Sequence, residues 1–227
     1  MKNSTIKILY EDQDILALSK PVDIHCRSTG NSDNTTIIQL FPQLKMAHRL
    51  DSKTSGVLIA GKNSRAAALL IEQFRKREIQ KIYIAFSPQK IPSQTENLWK
   101  DKLVKARKGR MKITNNEGLK AITFVSMIPI KNGTLLFLKP STGRTHQLRV
   151  QSLYHGFPIL GDTLYAKQFP HSRMMLHAYY LSFFHPFKLK RMEIFDPLPE
   201  DFFQLISKPV FEQSLSAFKK RIKELHS

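Results

Sequence analysis

The sequence predicts an α+β fold, with a mixed and mainly antiparallel central sheet flanked by helices. Three observations lead there. Strand-like segments follow one another in blocks instead of alternating strictly with helices. Two of them flank Lys131-Asn132-Gly133, an Asn-Gly hairpin signal that joins neighbours antiparallel. Only a few stretches carry apolar residues at helical spacing. No repeat period, low-complexity segment or clear linker interrupts the 227 residues, so a single domain over 1–227 is expected.

The elements follow in order. "IKILY" and "DILALSK" read as two strands joined by the acidic turn Glu11-Asp12-Gln13-Asp14, and Lys20-Pro21 ends the second, because proline lacks a ladder donor. Residues 26–34 are rich in Ser, Thr, Asn and Gly and read as a loop; Thr35 to Phe41 is a short helix candidate. "GVLIAGKN" (56–63) is an apolar run suited to a buried strand. Ser64 then opens a helix to about Arg77, with Ala67, Leu70, Ile71 and Phe74 on one face. In the next strand, "IQKIYIAFS", Ile82, Ile84 and Phe86 share one side while Lys81, Tyr83 and Ala85 share the other. Residues 88–118 are polar and basic and read as an exposed, irregular insertion. "KAITFVSMIPI" and "GTLLFLKP" form the hairpin. "RTHQLRVQSLYHG" reads as a helix from Arg144 that ends at Gly156, a residue suited to the left-handed position after a helix. "RMMLHAYYLSFFHP" is a long strand. Residues 208–227 close the chain as a basic helix with Leu215, Phe218, Ile222 and Leu225 as its apolar stripe.

Composition narrows the function. Hydrophobic residues make up 41% of the chain, enough for a packed core. Lys and Arg number 36 against 18 Asp and Glu, a formal charge of +18. So much self-repulsion points to a polyanionic partner, nucleic acid before an anionic membrane surface. The membrane reading is disfavoured, since there is no run of ~18 apolar residues and no secretory signal pattern. Cys26 is the only cysteine, so no internal disulfide can form, and no Cys/His spacing resembles a zinc site. A reducing cytoplasm is the default expectation, with Cys26 structural or incidental rather than catalytic.

Chemistry could reside in three segments. "HRLDSKTSG" (48–56) places His48, Arg49 and a lone Asp51 within four residues, ahead of turn-forming Thr54-Ser55-Gly56. If 48–51 are extended, Arg49 and Asp51 point one way and Leu50 points into the core. The segment is then either a surface ion pair before a turn or a reactive carboxylate at a strand end. "KPSTGRTHQLRVQ" (139–151) runs from a strand into a helix start, where free N–H groups favour anions and where Arg144, His146 and Arg149 cluster; taken alone, the segment is better read as a capped helix with a solvated basic face. Tyr83 stands on the strand side opposite Ile82, Ile84 and Phe86, facing either a second core or a site.

In this order and spacing the segments resemble one family, the RluA-type pseudouridine synthases. "HRLDSKTSGVLIAGKN" looks like its catalytic motif, "KIYIAF" like the motif that supplies an active-site tyrosine, and "STGRTHQLRVQSLYHGFPILGDTLYA" like the motif that supplies an arginine partner for the catalytic aspartate. "ILALSKP" and "RMMLHAYYLSFFHP" match its opening and late strands, so the likeness spans roughly residues 6 to 186. It implies a single catalytic domain that isomerises a specific uridine in structured tRNA or rRNA. Asp51 would be the catalytic carboxylate, Tyr83 would contact the uracil ring, and Arg144 would pair with Asp51. Arg49 would enter the RNA stack vacated by the flipped base. His48, Thr54 and His146 lie in the same motifs and are expected on the substrate side. The resemblance implies no metal and no organic cofactor, RNA as the partner, no membrane, and a monomer. The matching strands begin almost at Met1, so no N-terminal S4 RNA-binding domain is expected.

The residue types suit the reaction. An ionised carboxylate can attack the ribose C1′ or the pyrimidine C6, or take a proton from the sugar. A neighbouring guanidinium keeps it ionised, an aromatic ring holds the detached uracil, and a basic surface offsets the few kcal/mol of base extrusion. Candidates for that surface are Lys105, Arg107, Lys108, Arg110 and Lys112, with Lys219, Lys220, Arg221 and Lys223 in the last helix. Three departures from the family pattern bear on RNA contacts: Ser52-Lys53 replaces a basic-acidic pair, Pro21-Val22-Asp23 replaces a small residue and Gly, and Gln151 replaces His. Two other readings compete. A non-catalytic RNA-binding protein on a synthase scaffold is disfavoured by the intact Asp51, Tyr83 and Arg144. A hydrolase using Asp51 lacks the second carboxylate of a glycosidase pair.

Overall fold

The structure, a computed structural model, describes residues 6–28, 35–188 and 190–224. Two compact units emerge. One comprises Met1–Tyr83 with Leu176–Asp196, the other Ile84–Met175 with Pro197–Ser227.

In the first unit, β1 (Lys7–Glu11) pairs antiparallel with β2 (Ile15–Lys20), and β2 pairs antiparallel with β4 (Ser55–Gly61). The far edge of β4 is shared. The two-residue β3 (Lys45–Met46) runs antiparallel at its end, and β10 (Leu176–Phe184) runs parallel at its start. β11 (Arg191–Phe195) completes an antiparallel hairpin with β10. The sheet is buried on both faces, which explains why "ILAL" and "VLIA" are continuous apolar runs rather than alternating ones. Ile15, Ala17, Val57 and Ile59 face the helix α2 (Ser64–Lys76) through Ala66 and Leu70. Leu16, Leu18, Leu58 and Ala60 face the opposite way, toward Cys26, Leu44, Leu50 and Ile37 of the short helix α1 (Ile37–Leu40). Asn63 caps α2 by accepting the N–H of Ala66 at 2.8 Å, and Arg77 ends it in the left-handed conformation. The expected stripe on α2 needs one correction. Ile71 is 47% exposed, because the helix buries the side bearing Ala66, Ala67, Leu70 and Gln73.

β5 (Gln80–Ser87) begins in the first unit and finishes in the second. In the second unit the order is β9 (Gly133–Pro140), β8 (Leu119–Ile130), β6 (Thr95–Lys105), β7 (Met111–Thr114), all antiparallel. The β8–β9 hairpin turns on the expected residues, with Ile130 opposite Gly133. A side chain on Gly133 would lie 2.2 Å from the carbonyl oxygen of Ser87. The helix α3 (Gln147–Tyr154) packs Val150 against Leu103, Met111 and Ala121 on one face of this sheet. On the other face the helix α4 (Lys208–Glu224) stacks Phe211 and Phe218 on Phe137. The expected stripe of α4 is there in buried Leu215 and Phe218, with Ile222 half-buried; Leu225 lies outside the described residues. The mixture of mostly antiparallel strands with helices is the α+β class expected.

The reading of residues 88–118 as irregular is corrected, because β6 and β7 occupy about half of the segment. β6 buries Trp99 and Leu103 on one side and leaves its lysines exposed, a half-buried strand whose charges hide its period. The helix expected from Arg144 begins only at Gln147. His146 precedes it with a φ of +54°, which a helix cannot accommodate, and Gly156 follows its end with a φ of +85°.

Candidate active site

Asp51 opens a tight turn. Its carbonyl accepts the N–H of Thr54 at 3.0 Å, and β4 starts one residue later. The expected turn residues therefore divide. Thr54 is buried at the turn's end, whereas Ser55 and Gly56 already belong to the strand. They are small because β10 lies against them. Ser55 Oγ is 2.8 Å from His177 Nδ1, and a Cβ on Gly56 would stand 2.3 Å from the carbonyl oxygen of Ala178.

The turn is anchored from below by Lys20, Asp23 and Cys26. Lys20, fully buried, donates its ammonium protons to the carbonyls of Pro21 (2.7 Å), Ile24 (2.9 Å) and Ser52 (3.0 Å). A buried ammonium is tolerated when such acceptors replace its water. The N–H of Asp23 reaches the same Ser52 carbonyl at 2.8 Å. Cys26 Sγ accepts the N–H of Leu50 at 3.4 Å and donates to its carbonyl at 3.5 Å, and burial pushes the thiol pKa up, so Cys26 braces the chain next to Asp51. Two of the departures from the family pattern meet here. Lys53 forms an ion pair with Asp23, and Asp23 adopts a φ of +65°, a conformation suited to Gly and tolerated by Asp. The only sequence sign of Lys20 was a lysine closing an apolar strand.

Leu50 points into the core as expected, Arg49 is exposed, and Asp51 is half-buried. Tyr83 packs against the cluster that holds Leu50 and Cys26. Its phenol pKa lies well above the ordinary value, first through burial and then through the negative charge of Asp51. Lys81, on the same strand side, is pushed down to about 8 by burial. His48 faces elsewhere. Its Nε2 accepts the N–H of Ile59 at 3.0 Å, and its ring stacks on Phe74 at 4.5 Å. Burial, then the positive charge of Lys81, pushes the imidazole down to about 3, so it is neutral at pH 7.

In the second unit, Arg144 sits in the turn before α3 and donates through Nε to the Lys120 carbonyl at 3.1 Å. His146 Nδ1 lies 2.9 Å from the Tyr165 hydroxyl, which accepts the N–H of Met111 at 2.8 Å. Arg149 does not join them in an anion site. It is buried and donates from Nε and Nη2 to the two oxygens of Asp162 at 2.7 and 2.8 Å. Asp162, in "ILGD", is thus the partner that the sequence left unread. Lys105, Arg107, Lys108 and Arg110 are all exposed around the β6–β7 turn, where Lys108 and Gly109 take φ of +55° and +70°. Positive φ at both central residues matches the twist of a two-residue hairpin. Lys219 and Lys220 are exposed on α4, and Arg221 is engaged by Glu96 at 2.8 Å.

Among the described residues one cluster offers three possible metal-ligand atoms, Asp12, Asp14 and His185. Its Asp12 is already occupied by Lys188 Nζ at 2.6 Å and His185 Nε2 at 2.8 Å. No described helix is long and apolar enough to cross a membrane.

Residues 14–154 match the RNA pseudouridylate synthase family model. The ribosomal large subunit pseudouridine synthase C of Buchnera aphidicola subsp. Schizaphis graminum is 36% identical over 221 residues, covering 87% of this chain and 68% of the relative. The dual-specificity RNA pseudouridine synthase RluA of Salmonella typhi is 36% identical over 191 residues, covering 79% of this chain and 87% of its own. Among solved structures, human RNA pseudouridylate synthase domain containing 1 superposes with a TM-score of 0.70 at 27% identity, over 86% of this chain and 84% of that one.

Proposed function

The chain belongs to the RNA pseudouridylate synthase family and is an RNA pseudouridine synthase of the RluA type; from that premise we propose that Asp51 is its catalytic carboxylate. The observation that carries this reading is the anchored turn. Lys20 and Cys26 hold the backbone on either side of Asp51, and Tyr83 lies near enough for the charge of Asp51 to raise its phenol pKa. A reacting group held by its neighbours in one geometry is what the reaction requires.

The reaction breaks N1–C1′, turns the uracil, joins C5 to C1′, moves the C5 proton away and returns a proton to N1. Nothing is oxidised. Asp51 acts on the sugar or the ring, and Tyr83 holds the uracil while it turns. Arg144 supplies the cation that serves the carboxylate. Arg49, exposed two residues before Asp51, fills the stack after the base leaves. The substrate is a uridine in structured ribosomal or transfer RNA; the ribosomal large subunit is what the Buchnera relative is named for. The exposed cations of the β6–β7 turn contact its phosphates.

The test is tritium release from C5-labelled uridine in a bound RNA. Asp51→Asn is nearly isosteric but carries no carboxylate, so it should release no tritium while binding RNA normally; substantial release would refute the assignment. Arg144→Met should also lose most activity. Arg49→Ala should recover part of its rate on an unpaired uridine, because extrusion is the step it serves, and equal recovery by Arg144→Met would refute the division between the two arginines. Mapping pseudouridines in the RNA of a deletion strain identifies the target.

A further inference from the structure

We propose that Gln147 is the positioning residue for Arg144, and that a buried chain through Asp101, Gln151 and Thr123 decides which end of its amide faces that arginine. The inference rests on the reading of Arg144 as the cation that serves Asp51. Every member lies in the second unit, and Gln147, Gln151 and Thr123 are at most 4% exposed.

The direction of the chain follows from what each group can give. One end of the Gln151 side chain lies 2.6 Å from a carboxylate oxygen of Asp101 and 3.3 Å from the Ala121 carbonyl. Both are acceptors, so that end is the NH2 group. Its oxygen then faces the Thr123 hydroxyl at 2.7 Å, which must donate to it. A hydroxyl has a single proton, so toward Gln147 the same oxygen can only accept. The Gln147 NH2 therefore points at Thr123 (3.0 Å) and at the Ile122 carbonyl (3.2 Å). That leaves the Gln147 oxygen at the other end, where it accepts the Thr142 hydroxyl at 2.7 Å and the backbone N–H of Arg144 at 3.0 Å. Reversing either amide would set donor against donor or acceptor against acceptor among buried groups, each left unsatisfied at a cost.

The consequence for Arg144 is local. Its peptide N–H is held by Gln147 and its Nε by the Lys120 carbonyl, so the guanidinium is fixed at both ends of its side chain. Asp101 also accepts from or pairs with His155 Nε2 at 3.0 Å, whose ring stacks on Trp99, and this keeps the acidic end of the chain in place.

The experiment compares Thr123→Val, Thr123→Ser, Gln147→Glu, Arg144→Met and the double variant Thr123→Val/Arg144→Met. Single-turnover pseudouridine formation, RNA affinity and melting temperature are measured for each. Thr123→Val keeps the shape and removes the hydroxyl. It should slow turnover by on the order of ten-fold or more, the scale expected when a reacting partner is misplaced, with RNA affinity unchanged. Thr123→Ser restores the hydroxyl and should restore the rate. The double variant should be no slower than Arg144→Met, since the hydroxyl acts through that residue. Further slowing of the double variant would overturn the proposal. So would folded Thr123→Val and Gln147→Glu proteins that turn over at the wild-type rate while Arg144→Met does not; the reading of Arg144 would then stand. A fully active Arg144→Met would remove both. If Thr123→Val does not fold, Gln147→Glu, which sets a carboxylate against the Ile122 carbonyl, takes its place in the same comparison.

Discussion

At the scale of single residues, two side chains that neighbour each other in sequence separate by environment. Asp51 and His48 are three positions apart. Asp51 stands at a braced turn, while the His48 ring is spent on the Ile59 N–H and on Phe74. A pH effect follows. The imidazole is depressed to about 3 in the folded chain against an ordinary 6.5, so the unfolded chain binds the proton more readily. The stability His48 contributes is fully present above about 6.5 and is lost as pH falls from there to about 3. Urea midpoints between pH 7 and 4 should fall less steeply for His48→Gln than for the wild type. Tyr83 is argued at this scale too. Tyr83→Phe keeps the ring and loses the hydroxyl, so turnover should drop more than RNA binding if the phenol helps remove the C5 proton. Single-turnover rates equal to wild type would show that the ring alone matters.

At the scale of elements, the β6–β7 hairpin carries the prediction. Trp99 and Leu103 fasten β6 to its sheet, and the basic turn projects beyond them. Changing Lys105, Lys108 and Arg110 together to Glu should weaken RNA binding by an order of magnitude or more at low salt while the melting temperature holds, since exposed charges contribute little to folding. Binding that stays at the wild-type level would remove the hairpin from the RNA surface. The same element shows why its strands were hard to read. Six of the eleven residues of β6 are exposed, so the apolar period reduces to Trp99 and Leu103, four positions apart. By contrast β2 and β4 declared themselves, because a sheet covered on both faces needs unbroken apolar runs.

At the scale of the whole molecule, the charge of +18 is the dominant property. Contact with Z phosphates should give a plot of log K against log[salt] with a slope of roughly −0.7Z to −0.9Z. Filter binding or fluorescence anisotropy between low and physiological salt measures it, and a flat line would contradict electrostatic capture. The lysines and arginines are not equivalent in this respect. Lys20 and Arg149 are buried and serve the fold, and Arg221 is held by Glu96. The formal charge thus overstates the number of cations that RNA can meet.

The sequence alone determined the α+β class, most of the strands and the segments that resemble the family's motifs, because burial periods, an Asn-Gly turn and the spacing within "HRLDSKTSG" are local properties. Leu50 is buried, as alternation in an extended segment predicts, although residues 48–51 belong to no strand. Tertiary structure decided what each polar group is for. Nothing near Lys20 in the chain announces that its ammonium reaches Ser52, thirty-two residues on, nor that Arg149 pairs with Asp162 instead of meeting an anion. The roles of Gln147 and Gln151 depend on Asp101 and Thr123, brought beside them by the pairing of β6 with β8. Hydrogen bonds and ion pairs choose partners by distance in the folded chain, and a sequence records only the order of residues along it.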